Sequence, residues 1–263
     1  MNTNRLWVVP ANDLEAVAIR DLLFRSGETV LVTGQPWGAT WASLEPHIVH
    51  AIESFRAASP AAPVYGIELA GPNPFGARNL DHHFYPGDDR RSPLTSLEQV
   101  AAILEVPLTR EQTLVAVNDR SWIPGLLEAG ATGDEIRRIR ASDRAAQGVT
   151  KADEERAARD LDSARRESGV WLVRCPDGDT SAHSDLLFDR TGRVDAVLLM
   201  SPQEWSYSGP LASQLAAAAF PENHWAGGAA DCGYFGIAHP SEHSCERIFQ
   251  ILRIDPHFLS RVA

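Results

Sequence analysis

Short apolar runs that alternate with helix-length segments constrain this chain most. Residues 5–9 (Arg-Leu-Trp-Val-Val), 29–33 (Thr-Val-Leu-Val-Thr) and 64–69 (Val-Tyr-Gly-Ile-Glu-Leu) read as buried strands. Between them, 14–24 carries apolar residues at 14, 18, 19, 22 and 23, and Gly27 closes that helix. A second helix is expected over 46–57, a capped one over 96–104 and another after Thr109, with a short strand over 114–117. Strands and helices alternating at this spacing imply an α/β domain with a mainly parallel sheet. In such sheets ligands gather beyond the carboxyl ends of the strands.

The acidic residues fall in that position. Asp13, Glu15, Glu68, Asp81 and Asp119 each lie at the end of an expected strand or just after one. Asp81-His82-His83 sets a carboxylate and two imidazoles side by side, a grouping that suits a divalent metal or a phosphoryl group. Arg78, Arg120, Arg144 and Arg247 are candidates for phosphate contacts, and Arg120 stands beside Asp119. A glycine-rich turn is expected over 223–229. There Gly227 and Gly228, with Gly233 beyond, would let backbone approach an anion closely. Trp225 and Tyr234 flank it and suit either base stacking or packing.

Residues 142–168 are charged and almost free of strand formers, and read as a helical connector. A smaller α/β domain then follows, with strands expected over 170–174, 193–201, 203–208 and 233–239, and helices over 210–220 and 241–252. The expected organisation is therefore a domain over 1–141, a connector over 142–168 and a second domain over 169–263.

Formal net charge is −11, from 24 basic and 35 acidic residues, which argues against long nucleic acid or an anionic membrane surface as partner. A small phosphorylated ligand remains compatible, because a bound metal inverts the local sign. Cys175, Cys232 and Cys245 show no metal-type spacing and read as reduced thiols. With no signal-like or membrane-length apolar stretch, the expected location is the cytoplasm. The loop at 34–38 lacks the Gly-Lys-Ser/Thr ending of a P-loop, and no Gly-x-Ser-x-Gly elbow occurs. His239-Pro-Ser-Glu242-His243 fits a zinc-protease pattern, but Pro240 parts His239 from the helix.

Together these pieces resemble the DHH phosphoesterase superfamily, named for the motif at Asp81-His82-His83. Asn12-Asp13-Leu14-Glu15 resembles its first motif, Glu68 stands at its metal-bridging Asp, and Asp119 matches its fourth acidic motif. The connector and the glycine-rich segment are similar to its linker and its substrate-binding C-terminal domain. The resemblance implies metal ligation by Asp13, Glu15, Glu68, His82 and Asp119, with one or two Mn²⁺ or Mg²⁺ ions. It implies a phosphate contact for His83, an orienting role for Asp81, and hydrolysis of a phosphoester or phosphoanhydride in a small nucleotide or phosphorylated metabolite. Three departures stand out: Val9, Pro10 and Ala11 supply no histidine before Asp13, and positions 15 and 68 are Glu where Asp is expected. They leave open a catalytically impaired relative that binds a nucleotide or a partner protein as sensor or scaffold.

Overall fold

The computed structural model describes residues 5–36, 38–85, 88–90, 92–176, 180, 182–229 and 232–255. The chain divides into two compact units, Met1–Gly148 and Val149–Ala263. Both are α/β.

Unit 1 runs β1 (Leu6–Val9), α1 (Leu14–Arg25), β2 (Thr29–Val32), α2 (Pro46–Ala58), β3 (Val64–Ile67), β4 (Arg78–Leu80), the small ribbon β5 (Phe84–Tyr85) and β6 (Asp88–Asp89), α3 (Ser96–Leu104), α4 (Arg110–Glu128) and α5 (Gly133–Ala146). The main sheet has the order β2-β1-β3-β4, and each neighbouring pair is parallel. The chain moves outward from β1 to β2 and then crosses back to β3. The carboxyl ends of β1 and β3 therefore flank the switch point where such sheets bind ligands.

Burial explains why these short segments become strands. Every residue of β1 and β3 is buried, so a run of apolar and β-branched side chains satisfies both faces at once. Trp7 stacks on Tyr65 with ring centroids 4.3 Å apart, and its indole N–H donates to Glu28 at 2.8 Å. Leu6, Val8 and Val64 pack against Trp41, Ile48 and Ile52. Gly66 is required at the centre of β3, because a Cβ there would lie 2.2 Å from the Trp41 ring.

Unit 2 runs α6 (Lys151–Asp162), β7 (Arg165–Glu167), β8 (Val170–Arg174), α7 (His183–Thr191), β9 (Ala196–Met200), β10 (Glu204–Gly209), α8 (Ala212–Ala216), β11 (His224–Ala229), β12 (Cys232–Ala238) and α9 (Glu242–Leu252). Its six strands have the order β11-β12-β10-β9-β8-β7, with β8 and β9 parallel and the other pairs antiparallel. Alternate residues of β8 and β9 fill opposite faces. Leu172 and Leu198 join a core with Ile248 and Phe249 of α9, whereas Val173 and Leu199 pack with Leu161 of α6 and Leu187 of α7.

Four sequence expectations need correction. Residues 114–117 are helical, inside α4, because the capping box at Thr109 and Gln112 starts a helix that buries Leu114, Val115 and Ala116. The Asp-His-His segment follows a strand of its own, β4, which is too short for its pattern to be read. The connector is no single element: α5 ends at Ala146, α6 starts at Lys151 in the other unit, and Arg165–Glu167 is strand. The glycine-rich turn is β11, paired residue by residue with β12, so that Gly227 faces Tyr234 and Gly228 faces Gly233.

Candidate metal centre

Segments from β1, β3, β4 and α4 bring acidic and imidazole groups together within unit 1. Asp13 follows β1 and caps α1, its Oδ1 accepting the Ala16 N–H at 2.8 Å. Glu15 sits in the first turn of α1. Its Oε1 accepts the Leu97 N–H at 3.1 Å, at the amino end of α3, where the helix dipole favours negative charge. Its Oε2 is buried without a hydrogen-bond partner and lies 4.0 Å from His82 Nε2.

Glu68 directly follows β3 in a left-handed conformation (φ 49°) and accepts the Ser96 hydroxyl at 2.8 Å. Asp81, His82 and His83 follow β4. His82 Nε2 lies 2.6 Å from Asp119 Oδ2 and 3.6 Å from Glu68 Oε1, and His83 Nδ1 lies 3.9 Å from that same Glu68 oxygen. One donor atom from each of Glu68, His82, His83 and Asp119 falls within 4.8 Å of the others. Asp119 arrives on α4 just before its break at Trp122 (φ 49°), which precedes Pro124. Proline lacks the N–H a helix interior needs and its ring clashes with the carbonyl four residues back, so an unbroken helix through Pro124 is disfavoured and the break falls just before it.

The electrostatics fit a divalent cation. Burial, then the charge of Asp119, pushes the Asp13 carboxyl up to about 6. The same two causes, in the same order, hold Glu15 and Glu68 well above the usual carboxylate range. Crowded carboxylates in a poorly solvated pocket disfavour one another's charge, and a cation among them removes that penalty. Glu15 Oε2 adds a buried acceptor that has no hydrogen-bond partner among the described residues.

Asp81 faces the other way. Its Oδ1 accepts both the His83 backbone N–H at 2.9 Å and His83 Nδ1 at 3.0 Å, and Arg90 lies 3.5 Å from Oδ2. Burial works to raise Asp81, but the His83 hydrogen bonds and Arg90 outweigh it and its pKa is lowered. Burial likewise pulls the His83 imidazole down, but the Asp81 hydrogen bond and the charge of Asp119 leave it raised.

Arg120 is not among the clustered donors, and Gly227, Gly228 and Gly233 belong to unit 2. Arg120 is tied to Glu98 at 2.9 Å and to the Pro93 carbonyl at 3.1 Å, and the glycines belong to the β11–β12 hairpin of unit 2. Arg144 is buried in α5, and Arg247 covers the Phe220 ring at 5.8 Å. Sequence reading missed Arg90, Gln99, whose side chain bonds the Asp81 carbonyl at 2.9 Å, and Asp143, which accepts the Leu14 N–H at 3.2 Å. No local pattern marks them, since each acts across a distant turn. Next to Asp13, an open pocket of about 440 Å³ is lined by Ala11, Asn12, Pro36, Ala146 and Gln147. The buried Asn12 Oδ1 also has no hydrogen-bond partner among the described residues.

No family model matches the chain, and no curated protein matches it. Among solved structures, a pGpG-specific phosphodiesterase, PggH from Vibrio cholerae, aligns over 96% of this chain and 97% of its own. The TM-score is 0.43 and the identity 11%.

Proposed function

We propose that this protein is a metal-dependent phosphohydrolase acting on a small nucleotide or phosphorylated metabolite. The observation that carries the reading is the crowding of Glu15, Glu68, His82 and Asp119 at the switch point of a parallel sheet, where burial and neighbouring charge push Glu15 and Glu68 toward their neutral form. Asp13, Glu15, Glu68, His82 and Asp119 would hold one or two Mn²⁺ or Mg²⁺ ions, since oxygen donors with one imidazole suit hard cations. Such an ion supplies Lewis acidity, neutralising phosphoryl charge and making water a better nucleophile near neutral pH.

The protein's own groups do the rest. Asp81 commits His83 Nδ1, so contact with a substrate phosphate falls to Nε2. The raised pKa of His83 favours its protonated form, which donates to a phosphoryl oxygen and stabilises charge that grows during displacement. Arg90, bonded to the Leu69 carbonyl at 2.7 Å, holds Asp81 in the chain's frame and positions this pair. Glu15 and Glu68 are fixed from behind by α3. The pocket beside Asp13 has a volume suited to a small ligand. The Gly227, Gly228 and Gly233 backbone and Arg120 belong to the proposed substrate contacts, and unit 2 would be the substrate-binding domain.

The test is chelator-treated protein assayed with Mn²⁺ or Mg²⁺ on mononucleotides, dinucleotides and sugar phosphates. Cation-dependent release of phosphate or nucleotide is expected, falling by on the order of 100-fold or more in Asp119→Asn and His82→Ala. Absence of cation binding in the parent removes the reading. Cation and nucleotide binding without turnover supports the sensor alternative, which the absence of a histidine at Val9, Pro10 and Ala11 favours.

A further inference from the structure

A second cluster of donors lies in unit 2, built from residues that no spacing rule connects. Asp160 is in the last turn of α6, Cys175 directly follows β8, and His183 opens α7. His183 Nε2 lies 2.9 Å from Asp160 Oδ2 and 3.4 Å from Cys175 Sγ, and the three donor atoms fall within 4.8 Å of one another. Cys175 is fully buried and His183 is 2% exposed. We propose that Asp160, Cys175 and His183 form a metal site of the softer, Zn²⁺ type.

An aspartate–histidine pair does not by itself bring Cys175 Sγ, which also lies 4.0 Å from the Val173 carbonyl, to the same nitrogen. One N–H on Nε2 can point at the carboxylate or at the sulfur, yet both converge on that single atom. A Cys–His–Asp relay would use the two ring nitrogens separately, and a fully buried thiol cannot meet a substrate. Tetrahedral coordination accounts for the approach of the sulfur. With Zn–S near 2.3 Å and Zn–N or Zn–O near 2.0–2.1 Å, tetrahedral angles set S···N at roughly 3.5 Å and N···O at roughly 3.3 Å. The observed 3.4 Å matches the first, and 2.9 Å is shorter than the second, as a direct hydrogen bond would be. Among the described residues His183 Nδ1 has no hydrogen-bond partner, so no neighbour fixes the tautomer, and Nε2 is the nitrogen that faces Asp160 and Cys175.

Position and chemistry agree with this. β8 and β9 are the parallel pair of unit 2, and the Cys175 N–H continues their ladder to the Met200 carbonyl at 2.8 Å. The cluster thus lies beyond the carboxyl end of a parallel strand, beside the start of the following helix. A thiolate, an imidazole and one carboxylate select Zn²⁺ or Co²⁺ over the Mn²⁺ and Mg²⁺ suited to the oxygen-rich cluster of unit 1. Binding releases the thiol proton, and a fourth position is left for water or another donor. By tying α6 and α7 to the sheet edge, the ion would add to the stability of unit 2.

Co²⁺ is the probe. Reduced, metal-free, full-length protein titrated with Co²⁺ is expected to develop a thiolate-to-metal charge-transfer band and intense tetrahedral d–d bands, saturating at one equivalent and erased by Zn²⁺. The unit 1 cluster has no sulfur and cannot produce the first band. In the double variant Cys232→Ser/Cys245→Ser the band should persist at full intensity, because Cys175 is then the remaining thiol. In His183→Gln, checked for folding by circular dichroism, it should weaken with at least a tenfold loss of Co²⁺ affinity. No thiolate band in the parent overturns the proposal, as does its loss in the double variant or its full retention in a folded His183→Gln protein.

Discussion

Asp13 couples the charge state of the centre to the stability of the fold. Its pKa is about 6 in the folded, metal-free protein against 3.8 for an ordinary aspartate, and Glu15 and Glu68 move in the same direction. Between those values the folded state keeps a proton that the unfolded chain has released. The contribution is therefore fully present below about pH 4 and is lost as pH rises through about 6. A cation binds the deprotonated form, so the rise in Tm on adding Mn²⁺ should be larger at about pH 7.5 than at about pH 5. Equal shifts at both pH values would show that these carboxylates do not face the ion. Glu68 is open to a sharper test, since its left-handed backbone is one that Asp adopts more readily than Glu. Glu68→Asp gains backbone ease and loses the Ser96 hydrogen bond, each about 1 kcal/mol, so Tm should hardly change. The carboxylate, however, retreats by roughly one carbon–carbon bond where ligand distances tolerate about 0.2 Å. Mn²⁺ affinity and turnover should then fall by about 10- to 100-fold, and wild-type values in both would remove Glu68 from the ligand set.

At the scale of elements, β3 carries both packing and chemistry. Gly66 faces a Trp41 ring that is 2% exposed and tied through its indole N–H to Asn79 at 3.0 Å, so the ring cannot swing aside. Gly66→Ala should cost about 1–3 kcal/mol or more and displace Glu68 two residues on, lowering Tm and Mn²⁺ affinity together. An unchanged Tm would mean that Trp41 repacks freely. The same strand shows why part of the fold was legible. Fully buried parallel strands leave continuous apolar runs, and β1 and β3 were readable as such, as were the helices α3 and α9. β2 shows the same kind of run, yet its Thr29 is exposed and the rest is half-buried. Residues 114–117 look identical to such a run, yet they lie in a helix whose apolar face is decided by packing. β4 and β7, three residues each, are too short to carry a period. Trp225 covers Gly236, opposite it on β12, so that glycine leaves space for a ring. Within the centre, Asp13 and Glu68 could be read from their place after strands, whereas Asp119, expected after a strand over 114–117, lies inside α4. Arg90, Gln99 and Asp143 could not be read, because their contacts exist only once the chain has folded back.

For the whole molecule, the two units meet in sequence at Gly148 (φ 87°) and Thr150, which caps α6. Limited proteolysis should cut first between 146 and 151 and leave two resistant fragments, whereas an earlier cut inside either sheet would contradict the division. No helix among the described residues is long and apolar enough to cross a membrane. Glu15 is gripped by Leu97, 82 positions later, and α1 is tied to α5 by the Leu14–Asp143 bond, 129 positions apart. The refolding rate of unit 1 should therefore be the same with and without Mn²⁺, since no ligand set exists before the chain has closed on itself; acceleration by the ion would refute this. On the ribosome, Asp13 emerges on the order of ten seconds before Asp119 at ordinary elongation rates. During that interval the nascent chain has acidic loops but no chelate, and cellular Mg²⁺ passes it by. Cation loading would thus report a completed unit 1 rather than act as a template that guides its synthesis.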